Sequence, residues 1–409
     1  MSMIVPSIAD HVEARPVRAH TAKRTRVVYW HNMPTPYQVE RWNAVARRGN
    51  LDLELWFCSR GGSDRSWRID ESAFEFTHRY VPTPFLKLPG LAPHYYGLPP
   101  DLLTGRRRAD LLVSLYADPA FLAGWLAART TGIRTAFRVL PTFDAWVRRA
   151  ATKEWLKRLI FPRVDGFKVP GPEGAATAIR YGADPARIHV VSQSVDVAHL
   201  DGERRAWAAR RDTVRAELGI RGSAFLFIGR LWRGKGLDYL LDAYARLRDL
   251  PVPTTLLLAG DGMDEERYRA YVRDRQLPNV RFLGFVQQDA LPRILAASDV
   301  LVFPTLGDPY GLVVEEAMAS GLPVITTEAA GDIRRRLPDG IAGYVIPPAN
   351  ADALEDRMRT LALDPVRRRE MAEEAMRLVS SRTHEHYAAD FETFVGAVLS
   401  SPRAPAPVH

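Results

Sequence analysis

The sequence predicts an α/β protein made of two Rossmann-like, doubly wound domains that face a central cleft. Three observations carry that expectation. Short aliphatic or β-branched runs alternate with amphipathic helical patterns along most of the chain, as in parallel sheets covered by helices. The alternation pauses over residues 200–222, which are polar and Arg-rich, and then restarts. A chain of 409 residues is also long enough for two hydrophobic cores. Two such units in one chain invite a ligand between them.

In order, "RVVYWHN" (26–32) reads as a strand and "YQVERWNAVARR" (37–48) as an amphipathic helix. "LDLELWFC" (51–58) is a second strand. "ADLLVSLY" (109–116) precedes the helical "PAFLAGWLAARTTG", and the strand "RTAFRVL" (134–140) precedes the helical "AWVRRAATKEWLKRLIFPRV". "GFKVPG" (166–171) and "IHVVSQSVD" (188–196) complete the first set. The second set is "AFLFIGR", "TTLLLAG", "VRFLGF", "DVLVFPT", "PVITT" and "GYVIP", each followed by a helical pattern. The expected layout is a flexible tail over 1–22, a first domain over 23–200 and a linker region over 201–222. A second domain over 223–382, a final helix over 383–400 and a Pro-rich disordered tail over 401–409 follow.

The formal charge of +8 is uneven. Residues 1–200 hold 28 Lys and Arg against 18 Asp and Glu (+10), and the remainder holds 28 against 30 (−2). A basic first half fits an anionic membrane, an anionic substrate or nucleic acid, and scattered solvating arginines explain it equally well. Cys58 is the only cysteine, which excludes an internal disulfide and a Cys-based zinc site and favours the cytosol. The first twenty residues lack the apolar core of a secretory signal. No run of about twenty apolar residues predicts a membrane span.

Four motifs in the second half carry chemistry. In "FIGRLWRGKGLDYLLDAYARL" (227–247) a buried strand ends at Gly229, and Arg230 and Lys235 flank the loop that follows. Ligands of open α/β sheets sit at the carboxyl ends of strands, and Arg with Lys supplies charge-assisted donors to a phosphate. A solvent-exposed basic turn is the bland alternative. "LLLAGDGMDEERYRAYV" (256–272) is a tight strand-to-helix turn whose acids also suit a helix N-terminus. In "NVRFLGFVQQDALPRILAASDVLVFPT" (279–305) the backbone of Gly284, Phe285 and Val286 stands at a strand end, where it can meet a base edge or be a plain strand exit. In "GDPYGLVVEEAMASGLPVI" (307–325), Asp308 precedes a helix expected to start near Gly311. The free amides of Gly311 and Leu312 would offer an anion site. Glu316 falls among apolar neighbours and needs a hydrogen-bond partner, either the diol of a ribose or an arginine from the core. Glu315 reads as solvated.

Together "GRLWRGKG", "AGDG", "VRFLGFV" and "DPYGLVVEEAMASGLPVI" resemble the retaining glycosyltransferases of the GT-B fold, family 4. The resemblance is strongest over about residues 165–380. It implies that Asp308 contacts the donor sugar, Glu316 the ribose, and Arg230 with Lys235 the diphosphate of a nucleotide sugar, UDP- or GDP-linked. It further implies a final helix, "HEHYAADFETFVGAVL" (384–399), crossing back onto the first domain, and retention at the anomeric carbon without an enzyme nucleophile. The departing phosphate would take the acceptor proton. The family's first acid is usually Glu, and here it is the shorter Asp308. No Asp-x-Asp triplet occurs, so no metal is expected and basic side chains would hold the diphosphate. The first loop, "HNMPTPYQVERW", lacks the family's frequent Gly-Gly pair and is similar to the Pro-Thr-Pro-Tyr loop of members that build surface polysaccharides.

The basic first domain would then take the acceptor, with His31, Asn32, Pro36, Tyr37 and Asp144 as candidate contacts. The expected acceptor is a lipid-linked glycan, reached from the cytoplasmic face of a membrane. "FLKLPGLAPHYYGLPP" (85–100) is a Pro- and aromatic-rich loop, and "WVRRAATKEWLKRLIF" (146–161) has the composition of an interfacial helix, although an ordinary helix packed on the sheet with a solvated basic face explains it slightly better. No nucleic-acid-binding module is recognisable. The alternatives are a transferase acting on a soluble small molecule, a sugar-nucleotide epimerase, and a non-catalytic nucleotide-sugar-binding protein.

Overall fold

The computed structural model describes residues 24–61, 67–86, 94–104, 109–141 and 151–405. The expected N-terminal tail, Asp144 and the loop tip 87–93 lie outside them.

The first domain holds strands β1 (Thr25–His31), β2 (Leu51–Phe57), β3 (Thr77–Tyr80), β4 (Phe85–Leu86), β5 (His94–Tyr95), β6 (Leu111–Ser114), β7 (Arg134–Arg138), β8 (Gly166–Val169) and β9 (Ile188–Val190). Seven of them form one parallel sheet in the order β3-β2-β1-β6-β7-β8-β9, and β4 with β5 makes a short antiparallel ribbon. The second domain holds β10 (Ser223–Ile228), β11 (Thr254–Ala259), β12 (Val280–Gly284), β13 (Val300–Phe303), β14 (Val324–Thr327) and β15 (Gly343–Ile346). They form a parallel sheet in the order β12-β11-β10-β13-β14-β15. Both sheets reverse strand order beside their first strand, at β1/β6 and at β10/β13. Those switch points open the crevices where doubly wound sheets bind ligands.

The inner strands are buried on both faces. "SAFLFI" and "TTLLLA" are therefore continuous apolar runs rather than alternating ones. Residues 201–222, expected as a linker, contain the helices Val197–Ala208 and Arg211–Glu217, which pack on the Leu291–Ala297 helix. Arg211 and Arg215 both reach Asp299 just before β13, at 2.7 and 3.1 Å. The arginines that made the stretch look like a linker thus tie it to the second domain.

The helix His384–Ser400 lies on the Pro36–Arg48 helix of the first domain. Trp42 meets Phe391 and Tyr387 edge-on at 5.2 and 5.7 Å between ring centres. The chain therefore passes between domains twice, near 191–197 and 380–384. The passages are joined where Val195 N–H donates to the Arg382 carbonyl at 3.1 Å.

A second tie between the domains is made by Asp332, buried and in the left-handed region at φ 54°. Its Oδ1 accepts the Glu173 N–H at 2.8 Å, in the first turn of the Pro172–Arg180 helix. Gly171 makes the approach possible, because a Cβ there would stand 2.5 Å from the Asp332 carboxylate.

Candidate active site

Four loops of the second domain meet at the β10/β13 crevice. Past Gly229 and Arg230 the chain makes a 3-10 turn at Arg233–Lys235, then enters the Leu237–Ala245 helix. Gly236 has φ 73°, and a Cβ there would sit 1.9 Å from the Pro304 carbonyl oxygen beyond β13. Only glycine lets these two loops touch. The loop after β11 grips the same turn. Leu231 N–H donates to the Asp261 carbonyl at 2.7 Å, and Arg233 N–H to the Asp264 carboxylate at 2.9 Å. The acids of the "AGDGMD" turn therefore brace the basic loop.

Lys235 reaches across the crevice to Asp308, with Nζ 2.5 Å from Oδ2. Both side chains remain partly exposed, at 15% and 18%. Asp308 Oδ1 accepts the Tyr310 N–H at 2.9 Å, and the Gly311 amide also points at this carboxylate. Burial opposes ionisation of Asp308, but Lys235 and the two amides outweigh it and hold the carboxyl below its ordinary range.

That arrangement corrects one expectation. The helix runs Val313–Ala319, two residues later than predicted, and the Gly311 amide is already engaged by Asp308. An aspartate readily closes a turn onto the amide two residues ahead, and Asp308 does so with Tyr310. Leu312 flanks the helix in a helical conformation.

A second expectation is overturned. Glu315 is not solvated; it is fully buried. Its Oε1 takes Arg336 at 2.5 Å and Arg382 at 3.1 Å. Arg336 also donates to the Gly331 carbonyl at 3.0 Å and to the Tyr310 carbonyl. One helical residue turns the side chain by about 100°, so of two adjacent glutamates only one can face the core. The core arginine considered for Glu316 belongs to Glu315.

Glu316 is partly exposed, hydrogen-bonds Gln288, and has no basic partner among the described residues. Burial pushes its carboxyl up to about 7; Gln288 opposes the shift and the negative Glu315 adds to it. Below that pH it is protonated, and above it is a free acceptor. If a ribose diol donates to it, nucleotide affinity should rise between about pH 6 and 8, and Glu316→Gln should flatten the profile. Calorimetric titrations with a nucleoside diphosphate test this, and an unchanged slope in the variant removes Glu316 from the ribose. The stability effect runs the other way. The folded value lies above the ordinary 4.5, so this group's contribution declines as pH rises from there to about 7.

Gly284 ends β12, and its carbonyl accepts the Gly260 N–H at 2.7 Å. Phe285 and Val286 follow at the rim, with Val286 resting on the apolar core.

The facing wall belongs to the first domain. His31 ends β1 and is buried. Its Nδ1 donates to the Met33 carbonyl at 3.1 Å, and its Nε2 accepts from Arg138 at 3.0 Å and Gln38 at 3.2 Å. Burial first, then the Arg138 charge, push its pKa down to about 3 and keep it neutral. His31 is thus held between the Met33 carbonyl, Gln38 and Arg138. Asn32 accepts the Met33 N–H on Oδ1 at 2.9 Å and is partly exposed. Pro36 starts its helix, and Tyr37 meets Trp67 edge-on at 5.8 Å.

Three cations gather behind His31 that sequence reading missed: Arg41, Arg138 and Lys168. Their signal was present, since "TAFRVL" and "GFKVPG" each carry a cation inside an otherwise apolar strand.

Comparison with known proteins covers both domains. The family model of the glycosyl transferase 4-like domain matches residues 34–193, and that of glycosyl transferases group 1 matches residues 222–364. A D-inositol 3-phosphate glycosyltransferase of Kribbella flavida is 31% identical over 208 residues, 48% of this chain and 47% of that protein. An alpha-D-kanosaminyltransferase of Streptomyces kanamyceticus is 27% identical over 184 residues, 44% of this chain and 47% of that protein. The chain thus spans about half the length of these relatives. In structure, Anabaena HepE in complex with UDP superposes with a TM-score of 0.71 at 17% identity, covering 91% of this chain and 100% of that one. Sucrose-phosphate synthase from Thermosynechococcus elongatus superposes with a TM-score of 0.70 at 18% identity, covering 92% of this chain and 100% of that one. Each half is matched by sequence and the whole by fold, and the chain belongs to the group 1, family 4 glycosyltransferases, with the GT-B fold.

Proposed function

We propose that the chain is a metal-independent, retaining hexosyltransferase whose acceptor is a lipid-linked glycan of a surface polysaccharide, met at the cytoplasmic face of a membrane. The observation that carries the donor side is the Lys235–Asp308 pair. It places a cation and a carboxylate at the β10/β13 crevice, with Glu316 on the helix behind. Lys235 and Arg230 would face the β-phosphate as negative charge grows on it, and Asp308 would hold sugar hydroxyls. Glu316 would take the ribose, and Gly284, Phe285 and Val286 would border the base. The Leu312 amide and Gly229 would complete the phosphate cradle; the Gly311 amide reaches it only by leaving Asp308. Attack by the acceptor hydroxyl from the leaving-group face forms the new glycosidic bond as the old one breaks. The departing phosphate accepts the proton, so no enzyme base is needed and the neutral His31 is no obstacle.

The acceptor side draws support from the first domain's surface. The helix Ala151–Ile160 leaves Trp155 64% exposed and Leu159 42% exposed, alongside Lys153 and Arg158. An aromatic and a leucine among cations suit a headgroup interface. No helix among the described residues is long and apolar enough to cross a membrane. A soluble acceptor is the second reading, favoured by the name of one relative, a D-inositol 3-phosphate glycosyltransferase.

Thermal-shift measurements with UDP-, GDP-, dTDP- and ADP-sugars, with and without EDTA, test the donor side. Stabilisation by one nucleotide family irrespective of EDTA is expected. No stabilisation by any of them would overturn the donor site, and loss with EDTA would overturn metal independence. NMR of the product's anomeric configuration tests retention. Sedimentation with anionic vesicles tests the membrane face.

A further inference from the structure

We propose that Arg41, Arg138 and Lys168 form a second anion site, which binds a phosphate or diphosphate group carried by the acceptor. The inference rests on the reading that the first domain takes the acceptor, and it names the chemical class of that acceptor.

The three residues come from separate elements and converge at the carboxyl end of the first sheet. Arg138 ends β7, and Lys168 is its register partner on β8, so the two side chains lie on the same face. Arg41 comes from the Pro36–Arg48 helix that covers this face. Arg41 and Lys168 share the ring of Tyr387, at 4.8 and 5.0 Å from its centre. Arg41 also acts electrostatically on Tyr310, which follows Asp308 in the donor loop. Gln193, which accepts from Arg41, and Tyr387 line one cavity together with Tyr310, so the group lies directly behind the wall that faces the donor loop.

No carboxylate among the described residues pairs with any of the three. Arg41 donates to Gln193 Oε1 at 2.5 Å, to the Ser194 hydroxyl at 3.2 Å and to the Ser194 carbonyl at 3.0 Å, all neutral acceptors. Arg138 donates to the neutral His31. Lys168 is 2% exposed, and its ammonium stands over the Tyr387 ring. Burial, then Arg138 and Arg41, push its pKa well below the ordinary value. Arg336, the comparably buried cation of the other domain, has Glu315 instead.

Isolated buried charge is costly, and a sequence can avoid it with a carboxylate or an apolar residue. This one keeps three cations together at a ligand-binding edge. Two planar guanidinium forks and one ammonium match the many oxygens of a phosphate better than a single carboxylate. The diphosphate of the donor has the same chemistry, but Arg230 and Lys235 already lie on its side of the cleft. The acceptor is the remaining source.

The test is calorimetric titration of the full chain with inorganic pyrophosphate while a nucleoside diphosphate saturates the donor site. One further binding event is expected. Arg138→Gln and Lys168→Met should each weaken it by about tenfold or more, with nucleoside diphosphate affinity held within about twofold. Lys168→Met should leave the melting temperature unchanged or raise it, since it removes an ammonium that is desolvated by burial and repelled by Arg138 and Arg41, whereas a purely structural lysine predicts a loss. Absence of pyrophosphate binding beside the bound nucleotide would overturn the inference. So would variants that weaken the nucleotide instead, which would assign the cations to the donor. Failure of every nucleoside diphosphate to bind would strike the donor reading, a separate outcome.

Discussion

Lys235→Ala should lower kcat by about 10²–10³-fold, the usual loss when one preorganised donor to a developing oxyanion is removed. The expected change in donor KM is much smaller, because the phosphate charge that Lys235 would meet grows mainly in the transition state. Lys235 is also the partner of Asp308 in the free protein, so the single substitution leaves that carboxylate without its cation. A double-mutant cycle with Asp308→Asn separates the two effects. Steady-state kinetics decide the matter: a kcat within about threefold of the parent would exclude Lys235 from the leaving phosphate.

Arg336→Ala should cost about 3–5 kcal/mol of stability, the range found when one partner of a buried ion pair is removed. Glu315 would stay fully buried with Arg382 alone, and its Oε2 already has no hydrogen-bond partner. The effect should also reach the donor. Arg336 holds the carbonyls of Tyr310 and Gly331, and the Gly331 N–H donates to the Asp308 carbonyl at 2.9 Å. Donor KM should therefore rise along with the loss in urea stability, and Glu315→Gln combined with Arg336→Met should recover much of the stability. A loss below about 1 kcal/mol for Arg336→Ala would show that Arg382 compensates the buried charge unaided.

How far the sequence carried depends on the kind of information each element needs. Buried parallel strands such as "TTLLLA" state themselves, because burial on both faces leaves a continuous apolar run. The edge strand Thr77–Tyr80 did not, because "THRY" needs only one neighbour and can carry His and Arg. Spacing around glycine turns brought out Asp308, Lys235 and Glu316 as candidates. Their pairing was not legible: that Asp308 would take Lys235 and its own loop amides depends on a turn closed by Asp308 itself. The roles of Glu315 and Glu316 turn on one step of helical phase, to which composition is blind. Arg41, Arg138 and Lys168 are far apart in sequence, and only the register of β7 against β8 and the covering helix bring them together.

The two passages of chain between the domains have a mechanical consequence. A single strand of linker lets one body swing and twist freely about another. Here residues 191–197 and 380–384 run side by side and are joined between Val195 and Arg382. Arg382 is itself anchored to the buried Glu315. Two parallel passages resist torsion of one domain against the other better than a single one, and Asp332 on the Glu173 amide adds a third point of hold.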